Sequence, residues 1–317
     1  MRPILGMLLF SVMILIAGVA SGQSYPTKPI RIFTFGVGGA SDFTARLIAQ
    51  GITGPLGQPV VVENRPTGVI PGDIVAKAPP DGYSLLVVGG TFWNGPLLQA
   101  TPYDPIRDFS PITLANRSPL FVTVHPSLPV KSIKELIALA KGRPGVLNYA
   151  SDGAGGPPHL AAEYFKSMAG VDIVGIRYKS GASQMAELIG GHVQLIFGNA
   201  AQVTPHIKSA KLRALAVTSA QPSVLAPNLP TVSASGLPGY EVDTMTGAFS
   251  PAKTPDAIIK RLNQEMVRYL KTVEARDRFL GINVEAVGTS PEEFGTVVRS
   301  EMARMEKVVK SAGIRGD

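Results

Sequence analysis

Glycine-rich segments between strands and helices are the parts of this sequence whose residue types could carry chemistry. The first, GVGGASD at 36–42, lies between a predicted strand at 30–35 and a predicted helix at 43–53. Glycine allows a ligand to approach the backbone closely, and the first turn of a helix has unpaired N–H groups at a positive dipole end. The alternative interpretation is a tight turn in which Ser41 or Asp42 only caps the helix. As a ligand site, the segment would bind a carboxylate or a phosphate through Gly38, Gly39, Ala40, Ser41 and Asp42.

A second glycine-rich loop, SDGAGG at 151–156, repeats this arrangement in the second half of the chain. It follows a predicted strand at 147–150 and precedes a predicted helix that ends near residue 169. In open α/β sheets, ligands bind outside the carboxyl ends of the strands. Two such loops on separate lobes would therefore face each other across a cleft. The predicted ligand contacts in this loop are Ser151, Asp152, Gly153, Ala154 and Gly155.

Three other places supply candidate ligand contacts. Tyr178 and Lys179 lie in a further strand-to-helix loop, where Lys179 could add a positive charge, although a lysine is more often a solvated surface group. Asn199 could offer an amide to a ligand or simply cap the next helix. Phe92 and Trp93 follow a predicted strand at 83–89, and their rings could stack on a ligand or pack in half-buried positions.

Signals for catalysis and for a bound metal are weak. The sequence has neither the G-x-S-x-G segment of α/β hydrolases nor the H-E-x-x-H zinc motif. His159 and Glu163 are four residues apart on one predicted helix face, but two ligands do not make a metal site. We therefore predict no catalytic residues, no metal and no cofactor. A secreted α/β hydrolytic enzyme that uses His159 with Asp152 is the alternative.

Composition narrows the class of protein further. The chain has 317 residues, of which 45% are hydrophobic and 17% are charged, and this fits two folded domains rather than a disordered chain. The absence of cysteine excludes disulfides, iron–sulfur clusters, cysteine-ligated zinc and a thioether-linked lipid anchor. The formal net charge of +7 comes without any run of lysine and arginine, so we predict no nucleic-acid partner.

Residues 1–22 have the pattern of a secretory signal peptide. Arg2 precedes a nearly continuous apolar run from Ile4 to Ala20, and the small residues Ser21 and Gly22 follow. A positive start, an apolar stretch and a small-residue cleavage site define such a signal. The alternative is an uncleaved membrane anchor, but the run is slightly short for a membrane-spanning helix. We expect a periplasmic protein that is soluble after cleavage.

In the rest of the chain, short β-branched segments alternate with helical patterns, which is typical of βαβ units and a parallel sheet. Ser132 with Glu135, and Ser290 with Glu293, have the spacing of capping boxes that begin helices. Thr254-Pro255 marks another helix start, with proline expected at the first helical position. The segment at 221–240 is rich in proline, serine and glycine and predicts an ordered loop. Further strands are predicted at 59–63, 121–125, 173–176, 195–197, 214–217 and 246–249.

Many short segments in one order carry a resemblance to a known family. They are YPTKPI at 25–30, GGASD at 38–42, LGQPV at 56–60, ENRP at 63–66, APPDGY at 78–83, LNYAS at 147–151, LRALAVTS at 212–219 and GLPGY at 236–240. From about Tyr25 to Ile314, the sequence closely resembles the extracytoplasmic solute-binding proteins of tripartite tricarboxylate transporters, the Bug-type (TctC-like) receptors.

The resemblance implies an α/β chain with the two-lobed periplasmic binding protein fold of type II. Each lobe would be a mixed, mostly parallel sheet flanked by helices, with lobe 1 at 25–123 plus 246–317 and lobe 2 at 124–245. A ligand carboxylate would lie between the loops at 38–42 and 151–156, and the lobes would close over it. Such a receptor is expected to be a monomer that delivers a small organic carboxylate to the membrane subunits of the transporter. A receptor that feeds a signalling system is the alternative.

Three departures from the family pattern bear on the ligand. Val37 stands where the family usually has proline, and Ser180 stands where it usually has glycine. Gly198 precedes Asn199 where the family often has aspartate, so an ammonium group on the ligand would lack one partner. The smaller residue would also leave room for a bulkier or aromatic acid.

Overall fold

The computed structural model describes residues 25–66, 69–151 and 155–314. The predicted signal peptide at 1–22 and the predicted ligand contacts Asp152, Gly153 and Ala154 lie outside these ranges. Within these ranges, no helix is both long enough and apolar enough to cross a membrane.

The described residues form a mixed sheet of short strands and one long strand. The strands are β1 (Ile30–Thr34), β2 (Val60–Asn64), β3 (Ser84–Gly89), β4 (Phe109–Val124), β5 (Asn148–Ser151), β6 (Val174–Arg177), β7 (Leu195–Asn199), β8 (Arg213–Val217), β9 (Asp243–Pro251) and β10 (Glu285–Ala286). The predicted strand at 121–125 covers only the last quarter of β4 and runs one residue past its end. The earlier part escaped prediction because Pro111 and Pro119 lie within it, and proline is unusual inside a strand. Irregularities in its register between Pro111 and Thr113 and between Leu114 and Asn116 accommodate this sequence.

Helices cover the sheet and connect its strands. They are α1 (Ala40–Leu56), α2 (Ile70–Ala76), α3 (Gly90–Asn94), α4 (Ile133–Gly142), α5 (Pro157–Ala169), α6 (Gly181–Ile189), α7 (Ala200–Lys208), α8 (Asp256–Leu270), α9 (Val273–Gly281) and α10 (Pro291–Ser311), with a 3-10 turn at Gly95–Leu97 after α3.

The capping signals in the sequence locate several of these helices. Ser290 accepts the N–H of Glu293 at 3.1 Å, and Glu293 accepts the N–H of Ser290 at 2.8 Å, so the capping box at the start of α10 forms in both directions. Ser132 accepts the N–H of Glu135 at 3.2 Å, but Glu135 turns to the N–H of Lys131 instead. Pro255 is the residue before α8 and not its first helical residue.

The strand order along the sheet is β2-β1-β3-β9-β4-β7-β5-β6, with β8 and β10 also paired to β4. Parallel pairing joins β1 to β2 and β3, and it joins β5 to β6 and β7. The pairs made by β4 and β9 are antiparallel. Two parallel groups are therefore linked through β4 and β9.

Strand β4 changes partners in its middle, and this brings the ends of both parallel groups together. Its residues up to Pro119 pair with β9, whereas Leu120 to Val124 pair with β7. Strand β3 ends at Gly89, opposite Thr246 of β9, which is itself opposite Asn116 of β4. Strand β7 runs in the direction opposite to β3 and ends at Asn199, which lies opposite Leu120 of β4. The carboxyl ends of the two parallel groups therefore meet over 116–120 of β4.

Helix α10 joins the two sides of the molecule. Phe294 and Val298 at its start pack in the aromatic core under β3 and β9. Met305, Val308 and Val309 near its end pack with Leu160 of α5, on the side of β7. The apolar residues of this helix thus pack in two different cores.

Candidate functional site

A cavity of about 160 Å³ lies where the carboxyl ends of the two parallel groups meet. The first glycine-rich loop and the second one reach it from opposite sides, through Ala40 and Ser41 on one side and Gly155 on the other. The remaining residues that line it are Gly89, Gly90, Thr91, Asn94, Asn116, Pro157, Leu160, Val242, Asp243, Thr244, Met245, Thr246, Val284, Glu301 and Met305.

The start of α1 presents hydrogen-bond donors to this cavity. The first backbone hydrogen bond of the helix runs from the N–H of Phe43 to the carbonyl of Gly39, at 3.1 Å. The N–H groups of Ala40 and Ser41 precede that bond and have no partner within the helix. The Ser41 side chain is 8% exposed, and its hydroxyl has no hydrogen-bond partner among the described residues. This end of the cavity therefore suits an anion.

Asp42 is turned away from the cavity and holds the loop. Its Oδ2 accepts the N–H of Gly38 at 2.9 Å, and its Oδ1 accepts from Arg46 at 2.9 Å and from Asn64 at 2.8 Å. Burial acts to raise the pKa of Asp42, but these hydrogen bonds outweigh it and the pKa lies below its ordinary value. Asp42 was predicted as a ligand contact, and the structure gives its carboxylate a full set of internal partners.

A hydrogen-bonded chain fixes α1 against β4. The Asn116 side-chain N–H donates to Thr44 Oγ1 at 2.6 Å, and the Thr44 hydroxyl donates to the carbonyl of Ala40 at 2.7 Å. Both side chains are buried, so these two hydrogen bonds fix the position of the start of α1 relative to β4.

The described residues at the start of α5 offer few hydrogen-bond donors to the cavity. Pro157 and Pro158 are the first residues of α5, and proline has no N–H to give. The N–H of Gly155 is directed to Nδ1 of His159, at 3.2 Å. Ser151 is buried at the end of β5. Of the predicted contacts in the second glycine-rich loop, Gly155 lines the cavity.

Gly155 packs closely against the first half of the chain. Its φ is +81°, in the region that favours glycine. A Cβ atom at this position would lie 2.2 Å from Cδ1 of Leu98, which follows the 3-10 turn. Glycine therefore fits this position both in backbone conformation and in space.

Tyr178, Lys179 and Asn199 lie at the ends of β6 and β7 and do not line the cavity. Lys179 is exposed, and Asn199 caps α7 by accepting the N–H of Gln202 at 2.9 Å. The neighbouring Gly198 was expected to make room for a ligand. A Cβ atom there would lie 2.5 Å from Cγ1 of Val203, so the packing of α7 accounts for this glycine.

Phe92 and Trp93 belong to the aromatic core and not to the wall of the cavity. They are 1% and 0% exposed, respectively. Phe92 stacks on Tyr103 with ring centroids 4.8 Å apart, and Trp93 packs against Phe249 and Phe294. The structure thus favours the packing alternative that the sequence analysis left open. Gly90 lines the cavity, and a Cβ atom added to it would lie 3.5 Å from the ring of Trp93. The Trp93 ring therefore lies directly behind the cavity wall.

Three polar residues at the far end of the cavity were missed by sequence reasoning. Asn94 comes from α3, Asp243 from the start of β9 and Glu301 from the middle of α10. The local sequence pattern had assigned no role to any of the three. Only the antiparallel pairing of β9 between β3 and β4, with α10 packed over it, brings them together.

The described residues hold no group of three or more histidine, aspartate or glutamate side chains that could bind a metal ion. Glu163, the candidate partner of His159, accepts hydrogen bonds from the hydroxyl of Tyr149 at 2.7 Å and from Lys166 at 2.8 Å. These partners give Glu163 a structural role.

Comparisons with known proteins agree with this architecture. A family model described as tripartite tricarboxylate transporter family receptor matches residues 44–314. Protein BugT of Bordetella pertussis is 32% identical over 309 residues, which cover 95% of this chain and 94% of BugT. Rpa4515 of R. palustris, solved with adipate, is 34% identical, with a TM-score of 0.74 over 92% of this chain and 100% of that one. MatC from Rhodopseudomonas palustris, solved with bound malate, is 27% identical, with a TM-score of 0.70 over 90% of this chain and 100% of that one.

These similarities confirm the predicted fold class, a two-lobed α/β fold of the periplasmic binding protein type II sort. The family and the structural neighbours are receptors and binding proteins, not enzymes, which confirms the prediction of a non-catalytic role.

Proposed function

This chain belongs to the tripartite tricarboxylate transporter receptor family, and on that premise we propose that it binds a small organic carboxylate in the cavity between its two parallel strand groups. It would then deliver this ligand to the membrane subunits of such a transporter. The receptor would work outside the cytoplasm, with residues 1–22 directing export.

The observation that carries this proposal is the unpartnered start of α1. The N–H groups of Ala40 and Ser41 and the Ser41 hydroxyl all lie at the cavity, at the positive end of a helix of 17 residues. Hydrogen bonds to a charged group contribute about 1.5–3 kcal/mol each. Three such bonds to one carboxylate are enough for tight binding without a positively charged side chain in the site.

The ligands of related receptors support the same chemistry. Rpa4515 was solved with adipate and MatC with malate, and both ligands are carboxylates. We propose that lobe 1, at 25–123 plus 246–317, and lobe 2, at 124–245, close over such a ligand by a hinge motion. The middle of β4 and the start of β9 are the connections that would bend.

Thermal stability with and without ligand tests the proposal. Purified protein would be dialysed free of small molecules and heated with adipate, malate or a neutral diol of the same length. A carboxylate at about one hundred times its Kd should stabilise the protein by about 2.7 kcal/mol. Stabilisation by the diol as well, or by none of the carboxylates, would contradict the proposal.

A pair of serine variants locates the anion. Ser41→Ala removes the free hydroxyl and should weaken carboxylate binding about tenfold, with the melting temperature of the free protein nearly unchanged. Ser209→Ala is the matched control, because Ser209 is exposed just after α7 and does not line the cavity. Equal affinities for the two variants would place the anion elsewhere.

A further inference from the structure

The end of the cavity away from α1 carries an amide oxygen without a partner. Asn94 is 7% exposed and lines the cavity. Its amide lies close enough to Glu301 to act, as a weak contribution, to lower the pKa of that carboxyl, which burial raises. The amide oxygen, Oδ1, has no hydrogen-bond partner. Buried acceptors are rarely left unpaired in proteins, so a donor from a ligand fits here.

A carboxylate without a partner stands at the same end. Asp243 is the first residue of β9 and lines the cavity, and its Oδ1 is buried with no hydrogen-bond partner. Within the described part of the chain, Asp243 makes no ion pair, in contrast to the acids near it. Burial raises the pKa of Asp243 to about 7, against the attraction of Arg117.

The surroundings of Asp243 are more negative than positive. The charged groups that face it are Arg117, Glu241, Glu285 and Glu301. Arg117 is already 3.8 Å from Glu285, and Arg304 pairs with both Glu241, at 3.2 Å, and Glu301. The positive charges are thus engaged by other acids. These acidic groups would repel a second carboxylate of the ligand, whereas they would attract an ammonium group.

The two ends of the cavity are far enough apart for the two ends of one small ligand. Thr246 lies near Ser41, at the end of the cavity where α1 begins. A Cβ atom added to Gly89 would lie between their hydroxyls, 3.7 Å from Ser41 Oγ and 4.0 Å from Thr246 Oγ1. Asp243 is three residues earlier on the same strand, which corresponds to roughly 10 Å along β9. An aliphatic acid of a few carbons would reach from one end towards the other.

We propose that Asn94 and Asp243 form an acceptor subsite, which selects monocarboxylates whose far end carries an ammonium or a hydroxyl group over dicarboxylates. This inference rests on the proposed function, because it takes the ligand carboxylate to lie at α1.

A matched series of six-carbon acids tests the subsite. Hexanoate, 6-hydroxyhexanoate, 6-aminohexanoate and adipate differ only at the end away from the first carboxylate. Calorimetric titration at about pH 8 should give 6-aminohexanoate the highest affinity, followed by 6-hydroxyhexanoate, with adipate the weakest. Adipate should bind about tenfold more tightly at about pH 6, because the protonated fraction of Asp243 rises about tenfold over that range.

Asp243→Asn separates this subsite from the anion site. The substitution leaves no former partner unpaired, because Asp243 has none among the described residues, and folding should be retained. The variant should bind 6-aminohexanoate about tenfold more weakly and adipate more tightly at about pH 8, and the pH dependence for adipate should vanish. Asp277→Asn is the control, because Asp277 is exposed on α9 and the charge change is the same.

The possible outcomes are distinct. If adipate binds as tightly as 6-aminohexanoate at about pH 8, or if Asp243→Asn weakens all four acids equally, the acceptor subsite is wrong and the proposed function stands. If none of the four acids binds to either protein, the proposed function fails and this inference fails with it.

Discussion

Asp42 accepts the backbone N–H of Gly38 at 2.9 Å, across the turn that begins α1. Gly38 has a φ of +85°, a conformation that glycine adopts without a steric penalty. The same carboxylate also receives Arg46 and Asn64. Asp42 therefore ties the loop, the helix and the end of β2 to one buried charge and holds the helix start that carries the N–H groups of Ala40 and Ser41.

Removal of this carboxylate should therefore weaken both folding and binding. Asp42→Ala removes the acceptor of the Gly38 N–H and one of the two acceptors of the Asn64 amide, the other being the carbonyl of Phe35, and we expect the free energy of unfolding to fall by about 2–4 kcal/mol. Urea unfolding measures that loss, and carboxylate affinity should fall at least tenfold. Asp277→Ala, at an exposed position, should change stability by less than about 0.5 kcal/mol. Equal stability of the two variants would argue against this role of Asp42.

The pKa of Asp42 predicts when this stabilisation is lost. Because the folded-state pKa is lowered, the unfolded protein takes up the proton first as the pH falls. The contribution is complete above the ordinary pKa of about 4 and disappears as the pH falls through the folded-state value. The stability difference between the native protein and Asp42→Asn should therefore be constant near neutral pH and shrink below about pH 4. A difference that persists unchanged at about pH 2 would contradict this account.

The sequence was sufficient to predict where α10 begins and that a helix follows the first glycine-rich loop. Ser290 and Glu293 form their box, and the first glycine-rich loop does begin a helix that reaches the cavity. These features depend on contacts within a few residues. The hydrogen bonds that fix the loop, from Asn64 to Asp42 and from Asn116 to Thr44, join residues far apart in the chain and leave no local pattern.

The polar residues at the far end of the cavity and the change of strand partners along β4 could not be predicted from the sequence, for the same reason. Asp243 and Asn94 become neighbours only because β9 inserts between β3 and β4. Most of β4 was not predicted because it contains Pro111 and Pro119, and local pattern rules treat proline as the end of a strand. Where residue type alone favoured a ligand contact, as at Trp93, burial in the core decided otherwise.

The contact between Gly155 and Leu98 predicts that a small change there will impair closure. In Gly155→Ala, the new methyl group would lie 2.2 Å from Leu98 Cδ1, so either the Leu98 side chain or the second loop must shift. We expect carboxylate affinity to fall by about tenfold or more, as measured by calorimetry. A simultaneous Leu98→Ala substitution should restore part of the affinity by making room for the methyl group.

Gly170→Ala is the control for backbone strain in that experiment. Gly170 ends α5 with a φ of +62°, close in type to the +81° of Gly155, but a Cβ atom there meets nothing within 4 Å. Both variants should lose about 1 kcal/mol of stability from the strained backbone. Only Gly155→Ala should lose affinity; a similar loss in Gly170→Ala would mean that strain, and not the contact, is responsible.

Trp93 is the single tryptophan of the chain, and its burial predicts how it will report on the ligand. The indole is fully buried, and its Nε1 has no hydrogen-bond partner, so its emission should be at short wavelength and nearly insensitive to iodide. Ligand binding should leave the iodide quenching constant unchanged, because the ring is shielded in both states. Trp93→Phe with Leu280→Trp places the indole at a position that is 39% exposed and should be quenched strongly. A marked fall in the quenching of native Trp93 on addition of ligand would instead show that the ring is exposed to the cavity in the free protein.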